Sequence, residues 1–317
     1  MGIVSYFNSL NPFALLKSLP GNMAQGVIWG IMALGVFITY KLLNFADLTV
    51  DGSFATGGAV TVVLILGGCP APLALLVAVV AGLLAGLITG LLHTVMGIPD
   101  ILAGILTQIA LWSVNLVILN GANKALNVDK YSLLISLREA NWAILISCLF
   151  ALFLIVLLYW YFGTEQGCSI RSTGSNPNMS KAQGINIGFT KVLALSLSNG
   201  LVALAGGLLA QFQGFADINM GRGAIVIGLA AVIIGDGFYQ AIFRKHQNFA
   251  LQLVFIVIGG VIYYLVIGLV LWLKMPSNLL KLFTAVVVAI FLAIPYLLGK
   301  TKSSFARAAK NGGNDHA

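Results

Sequence analysis

Charge is what this sequence has least of. Asp, Glu, Lys and Arg together make up 8% of 317 residues, and Asp and Glu account for only 9 of them. A soluble globular domain carries roughly 25% charged residues, so a water-facing globule is excluded. Cysteine is almost as scarce: Cys69, Cys148 and Cys168 have neither metal-ligand nor disulfide spacing and read as packing residues. No Gly-x4-Gly-Lys-Ser/Thr run is present, so the chain brings no phosphate loop of its own. His-Glu-x-x-His and Gly-x-Ser-x-Gly are missing as well, which removes the common sequence signs of intramembrane hydrolysis. The net charge is +8, but the basic residues are scattered through loops and tail without interleaved aromatics, which argues against nucleic acid. Membrane orientation accounts for them better.

What the chain has instead is apolar length: 59% of it is hydrophobic. A helix needs about 20 apolar residues to cross a bilayer core of about 30 Å. Nine candidates meet that length, at 23–43, 51–68, 72–96, 98–120, 141–163, 190–214, 221–238, 248–273 and 278–299. The runs are continuous rather than alternating, so helices and not a barrel are expected. The fold class is therefore all-α, a polytopic membrane protein with a single transmembrane domain over 23–299. Residues 1–22 read as an interfacial segment and 300–317, basic and then rich in Gly and Asn, as a cytoplasmic tail.

The polar loop 164–190 carries Arg171 and Lys181 and is followed by Lys191; setting it inside places ten basic residues in the cytoplasm against seven outside. With nine crossings the N-terminus is then external. On the third run, Gly82, Gly86 and Gly90 strip one face of side chains, so another helix can approach its backbone. Gly97-Ile98-Pro99-Asp100 is a tight turn into the fourth run.

An internal echo organises the whole. Asn44-Phe45-Ala46-Asp47-Leu48-Thr49-Val50-Asp51-Gly52 interrupts the apolar sequence, and Phe45-Ala46-Asp47 recurs as Phe215-Ala216-Asp217 at an offset of 170. The same offset takes Gly58 to Gly228 and Val62 to Val232, while Pro99, Leu102 and Thr107 fall on Pro276, Leu279 and Thr284 at an offset of 177. The copies, 23–120 and 190–299, are separated by an odd number of crossings, counting the linking run 141–163. The second is then inserted upside down, as an inverted repeat with short, broken helices at matching positions. Such breaks are the best sequence pointer to a transport site.

The candidate pathway residues follow: Asn44, Phe45, Asp47, Asp51, Phe215, Asp217 and Arg222. A carboxylate at the bilayer centre costs on the order of 2.5–3.5 kcal/mol, so each needs a partner, a cavity or a place near the surface. For Asp51 the plain reading is a cap on the helix beginning at Gly52. Asp47 either lines the pore or makes a turn bond repeated at Asp217. Arg222 either receives a solute carboxylate through its planar fork or serves as an interfacial anchor or docking charge. Gln108, Asn115, Asn199, Gln211 and Gln213 read as interhelical hydrogen bonds, and His93 as structural.

The loop from Gly167 through Arg171, Gly174, Asn176 and Ala182 to Gly184-Ile185-Asn186 is more patterned than a linker. Ser180 is expected to start a helical turn there and Gly184 to end it. The segment resembles the cytoplasmic coupling segment of ABC-importer membrane subunits. With Leu43-Asn-Phe-Ala-Asp-Leu-Thr-Val-Asp-Gly-Ser-Phe54 and the Gly-rich helices, it makes residues 23–299 similar to the permeases of the branched-chain amino acid, ribose and nucleoside class of bacterial importers. The form with Asp47, Asp51 and Gly52 looks most like the tryptophan/tyrosine-type subgroup. The resemblance implies a non-enzymatic subunit of the bacterial inner membrane, translocating a small solute, an amino acid and by implication an aromatic one. It implies a second permease copy with the pathway between the two, and an external solute-binding protein. ATP and Mg²⁺ would be bound by a separate ATPase subunit docked on Gly167 to Asn186; no cofactor or metal is expected in this chain. The alternative is an ion-coupled secondary transporter using Asp47 or Asp51, which leaves that loop unexplained.

Overall fold

In the computed structural model the described residues are 12–128, 130–243 and 248–272, with isolated positions between 282 and 293. The ninth expected crossing, the second correspondence around Pro276 to Thr284, Arg244 and Lys245, and the tail lie outside them. The elements run α1 (Pro12–Phe37), α2 (Thr49–Leu66), α3 (Ala71–Thr94), α4 (Asp100–Leu119), β1 (Asn123–Ala125), α5 (Ala140–Phe162), α6 (Glu165–Ser175), α7 (Pro177–Ala182), α8 (Ile187–Gln213), β2 (Phe215–Asp217), α9 (Ala224–Ile242) and α10 (Phe249–Trp272). Eight of the helices are long and apolar enough to cross a membrane: α1 to α5 and α8 to α10. The chain is an all-α, multi-pass membrane protein.

The centre is α8, which packs along α3, α2 and α1, while α10 lies against α1 and α9. Small residues permit the closest of these approaches. A Cβ added to Gly82 or Gly86 would meet the carbonyls of Asn199 or Leu195 at 2.3 and 2.2 Å, and one on Gly90 would meet the Val192 Cα at 2.8 Å. The glycine face of the third run is thus an internal seam with α8. The seam of α2 with α8 is equally tight, Gly57 facing the Ala203 carbonyl and Gly206 the Phe54 carbonyl. Aromatic rings fill the wider gaps: Trp29 stacks on Phe54 at 4.8 Å and on Tyr264 at 5.6 Å, joining α1, α2 and α10.

Helix ends sort into two levels. At one end β1 and β2 pair antiparallel, Asn123 opposite Asp217 and Ala125 opposite Phe215, close to the ends of α4 and α8. At the other, His93 of α3 accepts from Lys191 of α8 (2.9 Å), and Phe249 packs on Phe37 and Phe162. This is the alternation expected of successive crossings. The first helix starts well before residue 23, at Pro12, and closes in one wide π turn, Ile38–Leu42.

Candidate functional site

The first break, residues 43–48, follows the π turn. Asn44 takes the left-handed conformation (φ 55°) that ends helices, and the N–H groups of Leu43 and Phe45 reach back to Ile38 and Thr39. Phe45 is buried, its ring edge-on to His93 at 5.1 Å, whereas Asn44 is exposed. Asp47 is 2% exposed, so its two oxygens need internal donors. It has them. Oδ1 accepts the Thr49 N–H at 2.9 Å and Oδ2 the Asn199 side-chain N–H at 2.7 Å. Asn199 of α8 also accepts the Ser53 hydroxyl at 2.7 Å. Beside it, the hydroxyls of Thr49, Thr89 and Thr107 form a buried chain with links of 2.8 and 2.9 Å. A closed network of this kind fixes α2, α3, α4 and α8 around the break.

The second break, 214–223, begins at Gly214 (φ 75°) and passes through β2 into a turn. Asp217 repeats the local bond of Asp47: its Oδ1 accepts the N–H two residues on, at Asn219. Of the two readings left open for Asp47, the turn bond is the one that Asp47 and Asp217 both make. The two breaks differ in setting, because Asp217 is part-exposed where Asp47 is sealed, and Phe215 is 43% exposed.

The breaks meet through Asp51. It lies in the first turn of α2, yet its Oδ2 and Oδ1 accept the N–H groups of Gly223 and Ile225, each at 2.9 Å. Asp51 therefore caps α9, placing a carboxylate against the positive end of that helix. At the start of its own helix the N-cap residue Leu48 makes no side-chain bond, and the Thr49 N–H goes to Asp47. Gly221 allows the approach, since a Cβ there would sit 1.9 Å from the Asp51 carbonyl oxygen.

Beside this junction lies a groove of about 410 Å³ between α2, α4 and the 218–222 turn. That is the size range of small-molecule sites. Asp51 and Arg222 line it with Gln108, Trp112, Asn115 and Ile218. Among the described residues no hydrogen-bond or ion-pair partner holds the Arg222 guanidinium, which is exposed. Asn115 is the reverse: fully buried, with neither amide atom partnered. A buried polar group left unpaired costs roughly 1–3 kcal/mol.

The opposite end carries a two-helix platform. Thr164 caps α6 and Asn176 caps α7, accepting from Met179 N–H at 3.1 Å. Gly184 (φ 82°) ends α7, with bonds from Gly184 N–H to Lys181 and from Ile185 N–H to Ser180; these are the paired bonds of a Schellman cap. Asn186 then caps α8 through the Phe189 N–H. Arg171 donates to the Phe162 carbonyl at 2.8 Å and lies 5.6 Å from the centre of the Phe249 ring. Gly167 and Gly174 seat α6 without room for a side chain, Gly174 directly on the Leu42 carbonyl. Ala182 and most of α7 are exposed, as are Met179 and Phe189.

Comparison with known proteins decides the family. The family model described as branched-chain amino acid transport system / permease component matches residues 20–295. The chain belongs to this permease family. The permease is 40% identical over 271 residues to a tyrosine transport system permease protein of Clostridioides difficile, covering 86% of this chain and 89% of the relative. It is 33% identical to an uncharacterized protein of Rickettsia prowazekii, with 86% and 95% covered. It is 30% identical to the autoinducer 2 import system permease protein LsrC of Yersinia pseudotuberculosis, with 74% and 65% covered. The permease is thus a multi-pass protein of the bacterial inner membrane, of the ABC-importer class, and the named relatives among these are transport permeases.

Several residues of the permease stand differently from their sequence reading. Asp51 caps α9 rather than its own helix. Asn176, not Ser180, starts the helical turn of the 167–186 segment, and Ser180 is buried within it. Cys148 and Cys168 are exposed and Cys69 half-buried, so only one of the three is packed even in part. Asn199 makes the interhelical bonds expected of it; Asn115 makes none. Sequence reasoning passed over Asp236 of α9, whose carboxylate takes Lys41 at 2.9 Å and the amides of Gln240 and Gln252 at 2.8 Å. An acidic residue between Gly235 and Gly237 in an apolar run was the available signal.

Proposed function

We infer that this permease is the translocating subunit of an ABC importer for an amino acid, aromatic by the kinship with a tyrosine permease. A soluble binding protein delivers the solute at the end holding β1 and β2. A separate ATPase subunit, which carries ATP and Mg²⁺, docks on the α6–α7 platform; this chain needs no cofactor of its own. Two copies face one another with the pathway between them. Within each copy the segments 23–120 and 190–299 form inverted halves that rock about the breaks at Asp47 and Asp217. The pathway runs past Asn44 and the Asp51–Arg222 groove, with Phe215 at its outer end; Phe45 and Asp47 hold the break from inside.

The observation that carries this reading is the seat of the platform. Gly174 rests on Leu42, the last residue before the first break, so a push on α6 is delivered where the crossing helix is interrupted. A secondary transporter would have no use for an exposed platform in that position. Reconstituted vesicles test it. Uptake of labelled tyrosine should require ATP, the ATPase subunit and the binding protein together. Uptake without nucleotide that an ionophore abolishes would replace the importer by an ion-coupled carrier.

A further inference from the structure

The groove beside Asp51 holds more recognition chemistry than the helix junction uses. Asp51 gives each oxygen to an N–H of α9 and also borders the groove, and a carboxylate oxygen can accept more than one bond. Arg222 brings a guanidinium without a protein partner among the described residues. One carboxylate and one guanidinium in a single groove match the ammonium and carboxylate of a zwitterion. Along α4, Gln108, Trp112 and Asn115 follow at helical spacing, so they line one side over roughly 10 Å at 1.5 Å per residue. Trp112 is a half-exposed apolar face. Asn115, past it, has a donor and an acceptor with no partner although the residue is fully buried. Arg222, Trp112 and Asn115 thus border one cleft, with Trp112 between Gln108 and Asn115 along α4. The buried Asn199 of α8 and the Ser53 and Thr49 hydroxyls of α2 are already engaged, with one another, with Asp47 and with Thr89, and offer nothing to a solute.

We propose that this groove is a solute subsite reading three parts of an aromatic amino acid. Arg222 takes the carboxylate, with Asp51 toward the amine. Trp112 carries the ring, and Asn115 hydrogen-bonds a polar atom at the ring's far end. This deepens the amino-acid importer reading and rests on it. Asn115 sets the choice between a hydroxylated ring and a bare one, because a site built to hydrogen-bond a hydroxyl is left unpaired by the analogue lacking it.

The test is equilibrium binding of labelled tyrosine to the permease–ATPase complex in lipid nanodiscs, without binding protein, with phenylalanine and tyramine as competitors. The intact complex should prefer tyrosine to each competitor by about tenfold or more. Asn115→Leu should erase the preference over phenylalanine while leaving phenylalanine affinity and thermal stability unchanged or raised. Arg222→Gln should erase the preference over tyramine, which lacks the carboxylate, and Trp112→Leu should weaken all three ligands alike. Equal preferences in Asn115→Leu and the wild type overturn the subsite. So does absence of saturable tyrosine binding in a complex that still imports tyrosine with ATP and binding protein, a result that leaves the importer reading standing. A complex that neither binds nor imports tyrosine removes both.

Discussion

At the scale of single residues, the tie between the two breaks is carried by Asp51. Its carboxylate accepts two N–H groups that α9 cannot satisfy internally, and no other side chain caps that helix. Replacing Asp51 with Ala leaves those donors unpaired in a half-buried site and should destabilise the permease by about 2 kcal/mol. Asp51→Asn keeps one acceptor and should lose about half as much. Thermal unfolding in detergent orders the three proteins, and equal midpoints for Ala and wild type would remove the capping role. The sequence made Asp51 conspicuous, as an acid opening an apolar run. It did not give the partner, because a cap is legible only when its donors are the next few residues, and here they lie 172 and 174 positions away. Asn115 poses the same difficulty in reverse. An amide in an apolar helix can be read from sequence, but whether it is paired depends on the neighbouring helix.

At the scale of elements, continuous apolar runs gave away the crossing helices because a bilayer demands length and nothing subtler. Their packing was partly legible too: Gly82, Gly86 and Gly90 announced a bare face, and that face is the seam with α8. Gly86→Ala puts a methyl about 2.2 Å from the Leu195 carbonyl, where backbone must yield. The expected loss is about 1–3 kcal/mol, read as a lowered unfolding midpoint. Gly188, where an added Cβ would make only ordinary contacts with the Asn186 Oδ1 at 3.5 Å and the Thr94 Cβ at 3.8 Å, serves as the control, and Gly188→Ala should change little. The platform was harder to see. The segment 164–190 is polar, so no hydrophobic period marks α6, and its boundaries come from Thr164, Asn176 and Gly184 acting as caps. Gly184 is exposed with nothing within 4 Å, but its φ of 82° disfavours any side chain. Gly184→Val should therefore leave the membrane helices intact, strain the end of α7 by about 1–2 kcal/mol, and lower uptake per ATP hydrolysed. Unchanged coupling would remove this turn from the docking surface.

At the scale of the molecule, the platform, the first break and the α9–α10 pair are joined by a short run of contacts. Arg171 holds α6 to the end of α5 and to the start of α10, through the Phe162 carbonyl and the Phe249 ring. Gly174 sits on the Leu42 carbonyl. One residue earlier, Lys41 leaves the same π turn to reach Asp236, which Gln252 ties to α10. Motion of α6 can thus reach the break directly through the π turn, beside its packing on α8, and the same turn is anchored to the second half of the chain. A wide turn is where a helix yields most readily, because its i to i+5 bonds are fewer and less well aligned than those of the flanking α-helix. Gly174→Val would drive a branched side chain into the Leu42 carbonyl, 1.9 Å from the position of its Cβ, and displace α6 from the turn. The eight crossing helices do not depend on that contact, so the variant should insert and assemble with its ATPase partner. ATP hydrolysis should continue while solute uptake falls at least tenfold. Lys41→Met should give a milder form of the same separation, since it frees one side of the turn but keeps the seat. If instead hydrolysis and uptake fell together in Gly174→Val, the contact would be needed for docking and not for transmission. If neither changed, force would reach the break by another route.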